Sequence, residues 1–167
     1  MYYADASRVC LEPCVPYGWQ FPDEDVFMPS AKGKGLNCFG LLTRTNKLMF
    51  STTTQNINST FVFEYLDRLS FMLEKPTVIV LDNASVHTAK IIQQQRNVWE
   101  ERGLTLFYLP PHSPQLNLIE LLWRMLKYYW LKPEDYVEEQ LLFYKITLAL
   151  AAVGSSLNIN FSDLALV

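Results

Sequence analysis

The stretch that decides the fold is "PTVIVLDNAS", residues 76–85. Val78 to Leu81 form an unbroken apolar run that follows a proline and closes on Asp82 and Asn83. Alternating polar and apolar positions would mark a strand with one wet face. A continuous run marks a strand buried on both faces, as in a parallel sheet covered by helices. Downstream, "HTAKIIQQQRNVWEERG" (87–103) reads as a helix ending at Gly103, and "LTLFYLP" (104–110) as a short strand. Upstream, "NSTFVFEYLDRLSFMLEK" (58–75) sets Val62, Tyr65, Leu66, Leu69, Met72 and Leu73 at helical spacing, with Asn58 or Ser59 available as N-cap. Before it, "LNCFGLLTRTNKLMFSTTTQ" (36–55) reads as a hairpin turning near Thr45 and Asn46. "MYYADAS" (1–7) reads as a first strand, separated from the hairpin by a loop rich in Pro, Gly and charge, "FPDEDVFMPSAKGKG" (21–35). This order predicts a mixed α/β fold with a hairpin on one side of the sheet and parallel crossovers in the middle.

A second stretch raises the question of function. "LPPHSPQLNLIELLWRMLKYYW" (109–130) ends in a helix apolar almost all round, yet Asn117, Glu120, Arg124 and Lys127 recur at steps of three, four and three. At about 100° per residue they form one polar stripe. A final helix is expected from about Glu134 to Val153, stopped by Gly154.

Sites in open α/β sheets lie outside the carboxyl ends of the strands. Asp5 is expected to end the first strand and Asp82 the buried one, side by side if those strands are neighbours, while Glu120 heads the polar stripe. Each acid alone has an ordinary explanation. Glu120 suits a capping box with Asn117 or an ion pair with Arg124, Asp82 a cap for the next turn, and Asp5 a turn. Together they point to chemistry. Three carboxylates in one cleft repel, and hard divalent cations, Mg²⁺ or Mn²⁺, offset that repulsion. Two such ions about 3.5–4 Å apart activate a water and stabilise the leaving oxygen of a phosphodiester.

Composition limits the alternatives. Half of the 167 residues are hydrophobic, which predicts one folded domain rather than a disordered chain. The net charge of −3 argues against a surface that grips nucleic acid over its whole extent, though not against a local basic rim. Cys10, Cys14 and Cys38 are too few for a disulfide framework and lack a second Cys/His pair for zinc, so they read as free thiols in a reducing cytoplasm. The longest apolar run, "LLFYKITLALAAV" (141–153), is too short to span a bilayer and contains Lys145.

"LDNASVH" (81–87) followed by "LPPHSPQLNLIELLWRMLK" (109–127) resembles the second and third acidic blocks of mariner-type and bacterial insertion-sequence transposases. These are Asp-Asp-Glu endonucleases with a ribonuclease-H-like fold. Asp82-Asn83, His87, Ser113-Pro114, Leu116-Asn117, Ile119-Glu120, Trp123 and Lys127 stand at the matching places, and "YYADAS" with "PYGW" resembles the first block. Ala6, His112 and Leu118 depart from the family pattern, but none replaces a triad acid. The resemblance implies a ribonuclease-H-like mixed sheet flanked by helices. It implies Asp5, Asp82 and Glu120 as catalytic metal ligands, two Mg²⁺ or Mn²⁺ ions, and DNA, both transposon ends and target, as partner. It also implies cleavage at an element's ends and joining of the freed 3′ hydroxyl to target DNA.

The expected DNA contacts are Arg124, Lys127, Asn83, His87, His112, Asn117, Lys32 and Lys34. The acids at 23–25 and the pair Glu64 and Asp67 read as solvated. Residues 1–131 are expected to form the catalytic core, with 132–167 a helix and tail packed on it. The helix-turn-helix region that reads element ends in this family is expected to be absent from this chain, so DNA binding should be weak and sequence-nonspecific. The apolar tail "NFSDLALV" (160–167) suits a self-association surface and hence a homodimer. No membrane partner is expected. Two other readings stay open: another nuclease on the same fold, and a ribonuclease-H-like interaction module without catalysis.

Overall fold

The computed structural model describes residues 1–12, 34–111 and 113–161. Five strands form one sheet: β1 (Tyr2–Cys10), β2 (Gly35–Leu42), β3 (Leu48–Thr53), β4 (Thr77–Leu81) and β5 (Leu104–Tyr108), in the order β3-β2-β1-β4-β5. β1, β2 and β3 pair antiparallel, whereas β4 runs parallel to both β1 and β5. The apolar run of β4 is therefore an interior parallel strand, as its lack of alternation predicts. The hairpin turns through Thr43–Asn46, with Asn46 in the left-handed region (φ 60°), a conformation its short polar side chain tolerates.

Helices cover both faces. α1 (Ser59–Phe71) and α2 (Lys90–Glu101) lie on one, where Val62, Leu66, Ile92 and Trp99 pack on Ala4, Phe39, Leu41, Ile79 and Leu81. α3 (Ile119–Met125) and α4 (Glu139–Ala151) lie on the other, where Ile119, Leu122, Trp123, Leu142, Ile146 and Leu150 meet Tyr3, Cys38, Leu42 and Val80. Burying each such side chain stabilises the fold by about 1.5–3 kcal/mol. Asn58 is the N-cap of α1, its Oδ1 accepting from Phe61 N at 2.9 Å. Gly103 follows α2 with φ 87°, a conformation costly for any residue with a Cβ.

Two helices differ from expectation. The helix expected to end the stretch 109–130 begins at Ile119, after a separate 3₁₀ turn (Pro114–Leu116). It runs as α3 straight into a π-helical turn (Leu126–Trp130) closed by Leu131 N donating to Leu126 O. The stretch expected as a helix from Glu134 splits into a 3₁₀ turn (Pro133–Tyr136) and α4. There Asp135 turns back to accept from Lys132 N at 2.9 Å and closes the first turn on itself. Among the described residues no helix is long and apolar enough to cross a membrane.

Candidate active site

Asp5 does not end β1 as expected; it lies in the middle of the strand. What ends there is the pairing. β1 and β4 align Tyr2 with Ile79 and Tyr3 with Val80, and β4 stops at Leu81. Carrying that register forward sets Asp5 opposite Asp82, the first residue past the strand. A sequence shows neither partner nor register, so it could reach this juxtaposition only by assuming that two strand ends coincide.

Side chains alternate along a strand, and Tyr3 belongs to the core under α3 and α4. Asp5 therefore points to the α3 face. Asn117 fixes α3 to that place: its Nδ2 donates to Ala4 O at 3.1 Å, beside Asp5. Glu120 then follows in the first turn of α3, a favourable place for an acid at the positive end of a helix.

The geometry brings ligand atoms of Asp5, Asp82 and His87 within 4.8 Å of one another. Glu120 stands outside that tight group but within electrostatic reach of it. Burial pushes the Asp5 carboxyl up to about 7; the Ala6 backbone opposes the shift, and Glu120 and Asp82 add repulsion. Burial also raises Glu120, with Lys127 opposing and Asp82 reinforcing. Asp82 moves the other way, held below the ordinary carboxylate range chiefly by its hydrogen bond to His87, against the effect of burial, with further help from the Ala84 N–H. The cluster thus holds one readily ionised acid beside two whose ionisation burial disfavours. Asp82 lines one cleft with Leu109, Pro110 and Ser113. Glu120 lines another, of about 340 Å³, with Arg124, Lys127 and Tyr128.

The model of the DDE superfamily endonuclease family matches residues 1–141, most of the chain. The chain belongs to that family. Solved structures carry the same ribonuclease-H-like fold at low identity. The Mos1 strand transfer complex matches with 12% identity over 93% of this chain and 51% of that one (TM-score 0.52). The Mos1 mariner paired end complex with Mn matches with 13% identity over 90% and 52% (TM-score 0.57). The simian T-cell lymphotropic virus intasome, in complex with PP2A regulatory subunit B56 gamma, matches with 15% identity over 82% and 49% (TM-score 0.60). The chain thus spans about half the length of these chains. No curated protein sequence matches it.

Within this DDE endonuclease the residues expected to contact DNA separate into three groups. Arg124 is exposed, and Lys127 is half-buried, near enough to act on Glu120 and Cys38. Both line the Glu120 cleft. Asn117, His87, Asn83 and Lys34 have other partners. Asn117 is buried at 3% exposure and its side chain is the strut to Ala4, while it lines the same cleft as Glu120, Arg124 and Lys127. It does not cap α3 with its side chain; its backbone carbonyl accepts from Glu120 N. His87 is 1% exposed and faces Asp82, so it cannot reach a DNA strand. Asn83 Nδ2 donates to Leu109 O, tying the end of β4 to the end of β5. Lys34 pairs with Glu139 at 2.7 Å. Lys32 and His112 lie outside the described residues.

Asp67 does not sit in solvent as its helix position suggested. It accepts from Arg102 Nη1 at 2.8 Å and Trp99 Nε1 at 3.0 Å, joining α1 to α2. These two partners lie 35 and 32 positions away, so no local pattern reveals them.

Proposed function

We propose that this domain is the catalytic part of a transposase of the mariner and insertion-sequence type, cutting phosphodiesters at element ends and joining the freed 3′ hydroxyl to target DNA. The convergence of Asp5 and Asp82 at the β1–β4 fork, with Glu120 near enough to repel both, carries the reading. The donor set is carboxylate oxygen in a half-buried site whose acids are short of positive charge, which fits Mg²⁺ or Mn²⁺. Asp5, Asp82 and Glu120 would hold two such ions. When bound, the ions supply Lewis-acid activation of the attacking oxygen and neutralise charge on the leaving one. The Mos1 paired end complexes with Mn and with Mg are in keeping with that choice.

The chain's own groups do the rest. Asp82, ionised at neutral pH, provides the anchoring charge. Burial disfavours ionisation of the Asp5 and Glu120 carboxyls, and positive charge in the cleft would relieve that cost. Arg124 and Lys127, in the cleft beside Glu120, take strand phosphates and set the register of the DNA without reading its bases. The core spans residues 1–131, with 132–167 as an added helix and tail. The working assembly is a homodimer on DNA, in the cytoplasm and on the nucleoid if the source is prokaryotic.

The test is nicking of supercoiled plasmid in Mn²⁺ or Mg²⁺ by wild type and Asp82→Asn. The reading predicts nicking by wild type alone, abolished by chelation. Nicking that survives Asp82→Asn, or preferential cleavage of RNA–DNA hybrids, would replace it with another nuclease activity. No cleavage and no metal binding would leave an interaction module.

A further inference from the structure

His87 has an unusual combination of burial and bonding. It is 1% exposed, packed 6.4 Å from the Phe39 ring between centroids, and its Nε2 is enclosed with no hydrogen-bond partner among the described residues. An apolar ring would fill the same space without leaving a polar nitrogen unsatisfied, which carries a free-energy cost. What the imidazole adds is on its other side, where Nδ1 lies 2.6 Å from Asp82 Oδ1. Since Nε2 has no partner, the hydrogen-bond network assigns the ring proton to Nδ1, which donates to the carboxylate.

The same oxygen also accepts from Ala84 N at 3.0 Å. Oδ1 of Asp82 therefore carries both bonds, while Oδ2 carries neither. The His87 backbone is itself held from outside the loop. Tyr108 Oη donates to His87 O at 2.8 Å, and Gln93 Nε2 donates to Tyr108 Oη at 3.2 Å. His87 N donates to Ala84 O at 2.9 Å. Groups from β5 and α2 thus fix the backbone that carries the ring, Phe39 packs against the ring, and the ring fixes the carboxylate.

We propose that His87 is a positioning residue that locks Asp82 through Oδ1, so that Asp82 presents Oδ2 alone to a divalent cation. This rests on the reading of Asp82 as a metal ligand. His87 does not itself ligate, because Nδ1 is occupied by Asp82 and Nε2 is sealed in the core. Such hydrogen bonds to a ligand alter metal affinity by about 10–100-fold.

The test is Mn²⁺ titration by calorimetry, with thermal unfolding of each metal-free variant as the control for folding. His87→Asn sets an amide N–H where Nδ1 stood; His87→Gln sets one where Nε2 stood, and His87→Leu has none. The expected result is wild-type affinity within a few-fold for His87→Asn, with about 10–100-fold weaker binding for His87→Gln and His87→Leu. A loss confined to folding would lower the melting temperature without separating Asn from Gln. Equal Mn²⁺ affinity in wild type and all three variants, with binding still lost in Asp82→Asn, would overturn the role of His87 and leave the metal site standing. Loss in His87→Asn as complete as in Asp82→Asn would make His87 a ligand and overturn it too. No Mn²⁺ binding by wild type would remove the site and the inference together.

Discussion

Two acids of this domain, Asp5 and Asp67, face the same physical problem and meet it differently. Asp67, between α1 and α2, has its cation built in: Arg102 lies 2.8 Å away, Trp99 adds a hydrogen bond, and the Arg102 guanidinium stacks 3.8 Å from the Phe71 ring centroid. Asp5 has neighbours of its own sign, Asp82 and Glu120, and among the described residues it makes no ion pair. One arrangement is closed, the other is completed from outside. A carboxylate matched by the chain stabilises the fold, whereas one left unmatched in a half-buried fork lowers stability and leaves a place for a cation, as proposed above. That contrast separates structure from function here more clearly than burial or charge alone.

The largest expected effect is on catalysis. Asp82→Asn or Glu120→Gln should slow plasmid nicking by about 10³-fold or more, since losing a ligand forfeits several kcal/mol of transition-state stabilisation. Asp67→Asn should leave nicking by the folded protein unchanged. Equal losses at both places would erase the distinction.

Next is the dependence of stability on pH. Asp5 holds its proton up to about pH 7 in the folded chain, against 3.8 as the ordinary value. The folded state therefore binds more protons between those values, and stability falls as pH rises from about 4 to 7, by about 3–4 kcal/mol in all. Urea unfolding in chelator should show this loss, and Asp5→Asn should flatten it. Mg²⁺ should restore stability at pH 8 and do little at pH 4.

A smaller effect falls on the closed site. Asp67→Ala strands the Trp99 N–H and the Arg102 charge, and should cost about 2–3 kcal/mol in urea unfolding, with no response to Mg²⁺. The smallest probes how α3 is seated. A Cβ on Gly40 would lie 3.0 Å from Ile119 Cδ1 and 3.1 Å from Trp123 Cη2, tighter than ordinary contact on both sides of Glu120. Gly40→Ala should cost about 1–2 kcal/mol and lower the nicking rate through a displaced Glu120.

Much of this contrast could be read before the structure. The unbroken run at 78–81 announced a buried parallel strand, and the hairpin at 36–55 followed from its turn; both depend on local patterns that a chain displays directly. The three acids could be proposed as a set because strand ends and helix starts are where such sites form. Yet Asp5 lies inside β1 and comes opposite Asp82 through the strand register, which the sequence does not display. What remained hidden depended on partners distant in sequence. Asn117 looked free to meet DNA because its partner, the Ala4 carbonyl, is 113 positions away. His87 looked like a residue able to meet DNA because only its burial beside Phe39 shows that it is sealed. Asp67 looked solvated because Arg102 is 35 positions away.

The most direct measurement of the central account is anomalous scattering from Mn²⁺-soaked crystals of wild type and Asp82→Asn. A peak between the carboxylates of Asp5 and Asp82, with Glu120 in reach, that vanishes in the variant is the predicted result. Saturating Mn²⁺ with no density at the β1–β4 fork, or density there that persists without the Asp82 carboxylate, would contradict it.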